Sequence, residues 1–187
     1  MNIIKRSFLM LVSLAFIPTA EAGDRKLTIE PLYGVETALV RYPEPPRYVS
    51  RATYGARALY GTNLLSAELE FTEAHSRKDY PTLNQQVVDK AQRLALGVRS
   101  TIGLGSYLGV YGRLGGRAAQ LESTVTTAGI SETHKEELDV QPYAGAGLQL
   151  AFAANFALNA GVTLIRNSND QYDSQYTLGL TARIGSL

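Results

Sequence analysis

The chain has 187 residues, no cysteine and a formal net charge of +1. This length suits one domain, and the lack of cysteine excludes disulfide staples and thiolate chemistry. With 17 glycines and 11 tyrosines, the composition favours strands and turns over helices.

Residues 1–22 are predicted to be a secretory signal peptide. Lys5 and Arg6 form a positive n-region, a short apolar stretch follows, and Ala20-Glu21-Ala22 fits an A-x-A cleavage site. The apolar stretch is too short to cross a bilayer as a helix, and no later stretch is long enough. The mature domain, residues 23–187, lacks two of the 18 basic and one of the 17 acidic residues, which leaves 16 of each. A net charge of zero argues against nucleic acid as a partner.

Eight segments of alternating polarity follow, and each predicts a β-strand. In the third, the clearest of them, apolar and polar residues alternate without a break from Leu65 to Thr72. Each segment is close to the ~9–11 residues that a tilted strand needs to cross a bilayer. The segments run over residues 27–40, 51–61, 64–74, 91–102, 107–119, 138–152, 156–166 and 175–184.

The connections between these segments alternate in length. Three are tight turns, near residues 61–63, 103–106 and 153–155. Four are longer polar stretches, at residues 41–50, 75–90, 120–137 and 167–174. This pattern places both ends of the domain on the short-turn side, as in outer-membrane barrels with short periplasmic turns and longer external loops.

The strand charges share one phase with Gly, Thr, Gln and Asn, while Leu, Val, Ile, Phe, Tyr and Ala occupy the other. Alternation alone does not say which phase faces inward, because a soluble barrel buries the apolar phase and a membrane barrel turns it to lipid. The export signal and the loop lengths favour the membrane arrangement. So does the lack of lysine on the charged phase, since soluble surfaces use lysine freely. A soluble, lipocalin-like periplasmic carrier is the alternative.

The pattern resembles the small eight-stranded outer-membrane β-barrels of the OmpA transmembrane-domain and OmpX type, over essentially all of residues 23–187. The most specific match is an assembly signal near the C-terminus, made of Thr177, Gly179, Ala182 and Ile184. The family usually ends on an aromatic residue, whereas this chain continues to Leu187.

The resemblance implies an all-β, antiparallel, up-and-down transmembrane barrel in the outer membrane of a Gram-negative bacterium. Membrane lipid, lipopolysaccharide and the outer-membrane assembly machinery are the partners that it implies.

If the polar phase faces inward, the lumen holds a structural network of ion pairs. Eight strands leave an interior just wide enough to be filled by side chains, and guanidinium groups pair well with carboxylates when crowded. We therefore predict a filled lumen rather than an open pore, with Arg57 contacting Glu68 and Glu70. Acid–base catalysis or ion conduction by the same groups is the alternative. The predicted network consists of Glu30, Glu36, Arg57, Glu68, Glu70, Arg93, Arg99, Arg113, Arg117 and Arg183.

Aromatic residues on the apolar phase or at strand ends are expected to form a girdle at the lipid headgroups. Tyr111 and Tyr143 fall on the polar phase and are expected to hydrogen-bond in the lumen. The predicted girdle consists of Tyr33, Tyr54, Tyr60, Phe71, Phe152, Phe156 and Tyr176.

The two histidines, His75 and His134, fall in predicted external loops. Neither has HExxH spacing and cysteine is absent, so no metal site and no cofactor are expected. A lipid A deacylase or acyltransferase is the enzyme alternative, and it would need a lipid-facing Ser–His pair on strands. His75 beside Ser76, or Ser131 near His134, falls in loops instead, so no enzyme is predicted. The expected role is structural, in stabilising the envelope, or interactive, through contact of the external loops with a protein partner. The proline-rich residues 42–48 form one candidate contact patch.

Overall fold

The computed structural model describes residues 25–167 and 171–186, and these residues form nine β-strands and one 3-10 turn. The predicted signal peptide, residues 1–22, lies outside the described residues. Among the described residues, no helix is long and apolar enough to span a bilayer. The strands are β1 (Lys26–Val40), β2 (Arg47–Gly61), β3 (Ser66–Tyr80), β4 (Gln85–Gly103), β5 (Leu108–Thr127), β6 (Ile130–Lys135), β7 (Asp139–Ala153), β8 (Phe156–Arg166) and β9 (Tyr172–Ser186).

Eight of these strands close into a ring. Each pairs antiparallel with the next ring strand, from β1 to β5 and then through β7, β8 and β9, and β9 pairs back with β1. In the described part of the chain β6 pairs only with β5, so it stands outside the ring. The eight-stranded antiparallel up-and-down barrel predicted from the alternation is confirmed.

The barrel is apolar outside and charged inside. On β9, Tyr176 and Leu178 are 58% and 64% exposed, whereas Glu30 and Arg57 in the lumen are each 1% exposed. A continuous apolar band of this extent is not tolerated in water, but lipid solvates it. The barrel is therefore a transmembrane one. The soluble carrier is ruled out, because it would require the apolar phase inside.

Two of the predicted long loops are wrong. Residues 75–90 instead form the outer halves of β3 and β4, joined by a tight turn at Pro81–Leu83 that ends on Asn84 in the left-handed region, with φ of 46°. Residues 120–137 form the outer half of β5 and all of β6, with a turn at Ala128 and Gly129. Their outward residues are polar, so the apolar outward phase that marks a membrane strand is missing there, and the alternation does not predict strands.

These extensions build a sheet that stands beyond the ring. We name it the protruding sheet: residues 76–80, 85–92, 120–127 and 130–135, paired antiparallel in that order. Its base packs over the lumen on an outer apolar cluster, made of Val40, Val49, Ala74, Ala91 and Leu121, all of which are buried. This end of the barrel is the long-loop end, and the opposite end, with the β2–β3, β4–β5 and β7–β8 turns, is the short-turn end.

The outward face changes from apolar to polar at one line across neighbouring strands. Phe71 on β3 pairs with Leu94 on β4. At the next outward-facing pair toward the protruding sheet, Glu73 pairs with Gln92. Gln92 in turn pairs with Gln120 on β5. This line marks the edge of the apolar band on the side of the protruding sheet, so the sheet itself lies in water.

Candidate functional site

An inner ionic cluster fills the lumen toward the short-turn end. Its centre is Arg57, which lies opposite Glu30 and Glu70 in the strand register. Arg57 Nη1 is 2.7 Å from Glu30 Oε1, and its Nη2 is 2.7 Å from Glu70 Oε2. Its Nε is 3.5 Å from Glu68 Oε2. One guanidinium therefore contacts three buried carboxylates.

Two further arginines complete the inner ionic cluster. Arg99 donates from Nη1 to Glu30 Oε2 at 3.1 Å, and its guanidinium lies 3.7 Å from the Tyr111 ring centroid. Arg113 Nη2 lies 2.5 Å from Glu68 Oε1 and 2.8 Å from Glu70 Oε2. Three arginines face three glutamates, so the cluster as a whole is neutral and its charges offset one another.

The two lumen tyrosines have glycines opposite them. Tyr143 donates a hydrogen bond to Glu68 Oε1 at 3.0 Å. A Cβ added to Gly115 would lie 2.8 Å from the Tyr143 hydroxyl, and one added to Gly147 would meet the ring of Tyr111. Glycine is required here because a side chain and an aromatic ring would occupy the same space.

An outer ionic cluster lies nearer the long-loop end and is centred on Glu36. Arg93 contacts Glu36 directly, Arg117 donates to it at 3.2 Å, and Arg51 lies 3.7 Å away. Arg117 also lies 3.7 Å from Asp173. Beyond this cluster, Asp89 accepts from Ser123 at 2.7 Å and pairs with Arg47 at 3.4 Å.

Three further buried residues, Arg51, Asp89 and Asp173, are absent from the predicted network. Arg51 shares the inward phase of Arg57 within the predicted second segment, and Asp89 shares that of Arg93 just before the predicted fourth segment, so the period-2 pattern identifies both as inward-facing. Arg183, by contrast, belongs to the predicted network but does not join a cluster. In the part of the chain that the structure describes, no ion pair joins Arg183 to either cluster, and it lies at the short-turn end of the lumen.

Together the two clusters close the lumen. The carboxylates of Glu30 and Glu36 are 1% and 0% exposed, so neither is open to a substrate. Within the described residues, no group of His, Asp or Glu is arranged to hold a metal ion.

Both histidines lie on strands, not in loops as predicted. His75, on β3 at the edge of the apolar band, lies 3.0 Å from the Tyr54 hydroxyl and 3.6 Å from Glu73. Ser76 points the other way, into the barrel, where it donates to Asp89 at 3.2 Å. Among the described hydrogen bonds none joins His75 to a serine.

The proline-rich connection between β1 and β2 reaches across to β6. Arg47 Nη1 donates to the carbonyls of Tyr42 and Pro43 at 3.1 and 3.0 Å, which shapes this loop. The Tyr42 and His134 rings lie 4.9 Å apart. Partial burial and the neighbouring Glu132 raise the pKa of the Tyr42 hydroxyl above its ordinary value. The loop therefore packs against the hairpin instead of standing free.

The aromatic residues predicted for the girdle all face outward. Tyr60, Phe152 and Phe156 adjoin the short turns, and the Phe152 and Phe156 rings stack with centroids 6.2 Å apart. Tyr33 and Tyr54 are register partners further toward the long-loop end. Phe71 and Tyr176, the other two members of the set, are exposed as well. Their placement at the lipid headgroups stays a prediction.

The four residues of the predicted assembly signal lie on β9, the strand that closes the ring against β1. Thr177 and Gly179 face the lumen, while Ile184 faces outward and is 55% exposed. Ala182 shares the outward phase of Ile184. Their use as a signal stays a prediction.

No protein-family model matches the sequence, and no curated protein is detectably similar to it. Solved structures do match in fold. Ail of Yersinia pestis is 17% identical, with a TM-score of 0.57 over 88% of this chain and 100% of that one. Neisserial surface protein A is 13% identical, with a TM-score of 0.60 over 87% and 98%.

The N-terminal β-barrel domain of Pseudomonas aeruginosa OprF is 16% identical, with a TM-score of 0.57 over 88% of this chain and 100% of that one. Ail has also been solved in complex with the heparin analogue sucrose octasulfate. Identities this low establish shared architecture and no shared ligand. This chain has the fold of the small eight-stranded outer-membrane β-barrels.

Proposed function

We propose that this protein is a closed barrel of the bacterial outer membrane that presents the protruding sheet to a partner outside the cell. The observation that carries the proposal is the protruding sheet itself. Its strands continue the ring strands without interruption, and its base is packed on the outer apolar cluster. A rigid scaffold that holds a polar surface beyond the membrane is suited to recognition.

Transport through the lumen is not part of this function. Arg57 and Arg99 lie within the inner ionic cluster, and the side chain of each is at most 2% exposed. A pore would require these ion pairs to separate, and breaking a buried pair is strongly unfavourable. We therefore expect the purified protein to give no stable conductance in planar bilayers, and a large open conductance would contradict the closed barrel.

The surface chemistry favours a protein partner over a polyanion. On the protruding sheet, Arg77 lies 3.7 Å from Asp79, and Lys135 lies 3.7 Å from Glu122. Opposite charges thus alternate over the exposed face, and no single-sign field builds up. The sulfated ligand of Ail supports a binding role at the level of the fold, but this mixture of charges points to a different class of partner.

The experiment removes the hairpin and keeps the barrel. Residues 124–133 are replaced by a two-residue Asn-Gly turn, which joins the remaining strand ends. We expect the variant to keep its heat-modifiable mobility in gels, since the ring is untouched. Cells producing it should no longer bind eukaryotic cell monolayers or one another, unlike cells producing the unaltered protein.

The control replaces Thr126 and Ser131, a hydrogen-bonded pair near the tip of this hairpin, with a pair of alanines. This control should retain binding, because the sheet is kept. If the hairpin deletion leaves every adhesion unchanged but cells without the protein become sensitive to detergent, a structural role in the envelope replaces recognition.

Export and assembly belong to the same proposal. Cleavage after Ala22 would give a mature chain that starts at Gly23, and N-terminal sequencing of the protein from membranes tests this. Assembly by the outer-membrane machinery would use Thr177, Gly179, Ala182 and Ile184, while lipopolysaccharide would surround the apolar band. A Gly179→Asp variant that reaches the membrane in normal amounts would argue against that signal.

A further inference from the structure

The short-turn end of the lumen opens into a small polar cavity that adjoins the inner ionic cluster. Its volume is about 40 Å³. A single water needs about 10–15 Å³ by this measure, so the cavity holds a few waters or one small anion. Apart from Leu59 and Gly61, every residue that lines it is polar or charged. We name this cavity the basic cup.

Three cations and no carboxylate lie among the residues that line the basic cup. The cations are Lys26 at the start of β1, Arg99 on β4 and Arg183 near the end of β9. Within the described residues, no ion pair joins Lys26 or Arg183 to an acidic side chain. Glu30 lies behind Arg99 and neutralises part of its charge, since the two are 3.1 Å apart. The cup therefore keeps an excess of positive charge.

Arg99 is fixed in position beside the cup. It is 2% exposed, it bonds to Glu30 and Asn159, and it packs on Tyr111. An anion that enters the cup therefore meets a guanidinium that is already held in place, and little side-chain freedom is lost on binding.

We infer that the basic cup binds a phosphate-type oxyanion. Arginine and lysine side chains together are the usual protein partners of phosphate, because a guanidinium offers paired donors and an ammonium offers a point charge. The hydroxyls of Thr28 and Thr101 also line the cup, and they supply neutral donors to the remaining oxygens. The source is either free phosphate or the phosphate of a lipid headgroup at this end of the barrel.

Calorimetric titration of the whole protein with inorganic phosphate tests the inference. The protein is held in a non-ionic detergent without phosphate, at constant ionic strength. We expect saturable binding that weakens about tenfold or more in Arg183→Gln, as the loss of a charge-assisted hydrogen bond implies. Lys26→Gln should weaken binding several-fold. The matched control is Lys78→Gln, which removes one exposed cation on the protruding sheet and should leave the affinity unchanged.

The outcomes separate a built site from general salt effects. Each variant is first checked for heat-modifiable mobility, and Lys26→Gln carries the test alone if Arg183→Gln does not fold. Absence of saturable heat, or equal affinity in all three variants, would overturn the inference.

A second arm repeats the titration in nanodiscs of phospholipid and of phosphate-free glycolipid. If inorganic phosphate binds with equal affinity in both kinds of nanodisc, free phosphate is the ligand. If it binds more weakly in phospholipid nanodiscs, a lipid headgroup already occupies the cup.

Discussion

β3 is one continuous strand that crosses two surroundings. Its membrane half runs up to Thr72, and its outer half begins at Glu73, beyond the polarity line. In the membrane half, Phe71 faces outward and Glu70 faces the lumen, whereas in the outer half Glu73 faces outward and Ala74 faces inward. The pairing with β4 runs from Ser66 to Tyr80 without a register shift. The backbone is therefore the same in both halves, and only the polarity of the two faces changes with the surrounding solvent.

The two halves also differ in what holds them closed. The membrane half is filled with paired charges, and a charge that loses its partner there has no water to solvate it. Apart from the buried Asp89 and its partners, the outer half is filled with apolar side chains, whose loss removes only transfer free energy and packing. Substitutions in the lumen of the membrane half should accordingly cost more than substitutions in the outer apolar cluster.

The largest effect is expected for Arg57→Ala. The substitution leaves Glu30, Glu68 and Glu70 without their shared guanidinium, and breaking a buried pair typically costs about 3–5 kcal/mol. Urea unfolding in lipid vesicles and the temperature of the heat-modifiable gel shift measure the loss. Arg77→Ala, at an exposed position of the protruding sheet, is the matched control and should change the stability little. An unchanged melting temperature for Arg57→Ala would sink the idea that the ion pairs stabilise the membrane half.

The next effect tests where the membrane half ends. Leu96→Arg places a cation on the lipid face and should cost about 2–4 kcal/mol if the position lies near the bilayer midplane. Gln92 also faces outward on β4, but it lies beyond the polarity line, toward the protruding sheet. Gln92→Arg should therefore cost about 0–1 kcal/mol. Both values come from unfolding in vesicles. Equal costs at the two positions would mean that the polarity line is not the membrane edge.

Since the chain has no native cysteine, the same line can be mapped without background labelling. Single cysteines at Phe71 and Glu73 carry spin labels, and their accessibility to oxygen and to a water-soluble nickel complex is compared. We expect the label at Phe71 to be more accessible to oxygen and the label at Glu73 to be more accessible to the nickel complex. A label at Glu73 that stays oxygen-accessible and nickel-protected would move the boundary outward.

A smaller effect is expected in the outer apolar cluster. Val49 is fully buried there, so Val49→Ala removes two methyl groups and should cost about 2 kcal/mol by the value of a buried methylene. Val35→Ala makes the same change on the outward face of β1, where the side chain is 43% exposed, and should cost much less. Equal losses of stability would show that the outer half has no packed interior of its own.

How far the sequence predicts this molecule depends on which half is considered. In the membrane half the alternation of Leu69 and Phe71 with Glu68 and Glu70 is unbroken, and it predicts both the strand and its inward face. Lipid requires apolar side chains on one face of the strand, and the crowded ionic lumen requires polar ones on the other, so the sequence must alternate. The ring of eight strands therefore follows from local pattern together with the known size limit of small barrels.

Alternation does not predict the strands of the outer half, for a physical reason. His75, Arg77 and Asp79 face water, so this stretch of β3 has the composition of a loop although it is a strand. On the partner strand Val87 is buried, but the adjacent Val88 lies on the opposite phase, so two neighbouring apolar residues hide the alternation. Long-range pairing with β4 decides the structure there, and neither charge nor hydropathy records that pairing. For Arg183, alternation predicts the inward phase but not the depth, since it does not say how far along the barrel axis a side chain lies.

The smallest effect concerns the contact between the β1–β2 loop and β6. Tyr42→Phe keeps the ring against His134 but removes the hydroxyl that faces Glu132, so only a slight loosening of the hairpin is expected. Hydrogen–deuterium exchange of residues 130–135 measures it. The matched control is Tyr48→Phe, which changes an exposed tyrosine at the start of β2.

The pKa of Tyr42 is raised in the folded protein, so the neutral hydroxyl is the form that the fold favours. The contact is then fully present below the ordinary tyrosine pKa of about 10 and is lost as the pH rises through the raised value, when a tyrosinate would face a carboxylate. Exchange of the hairpin should therefore accelerate above about pH 10 in the unaltered protein, beyond the intrinsic rise with pH, and not in Tyr42→Phe. The same acceleration in both would place the pH sensitivity of the hairpin elsewhere and leave the loop contact without influence on the outer half.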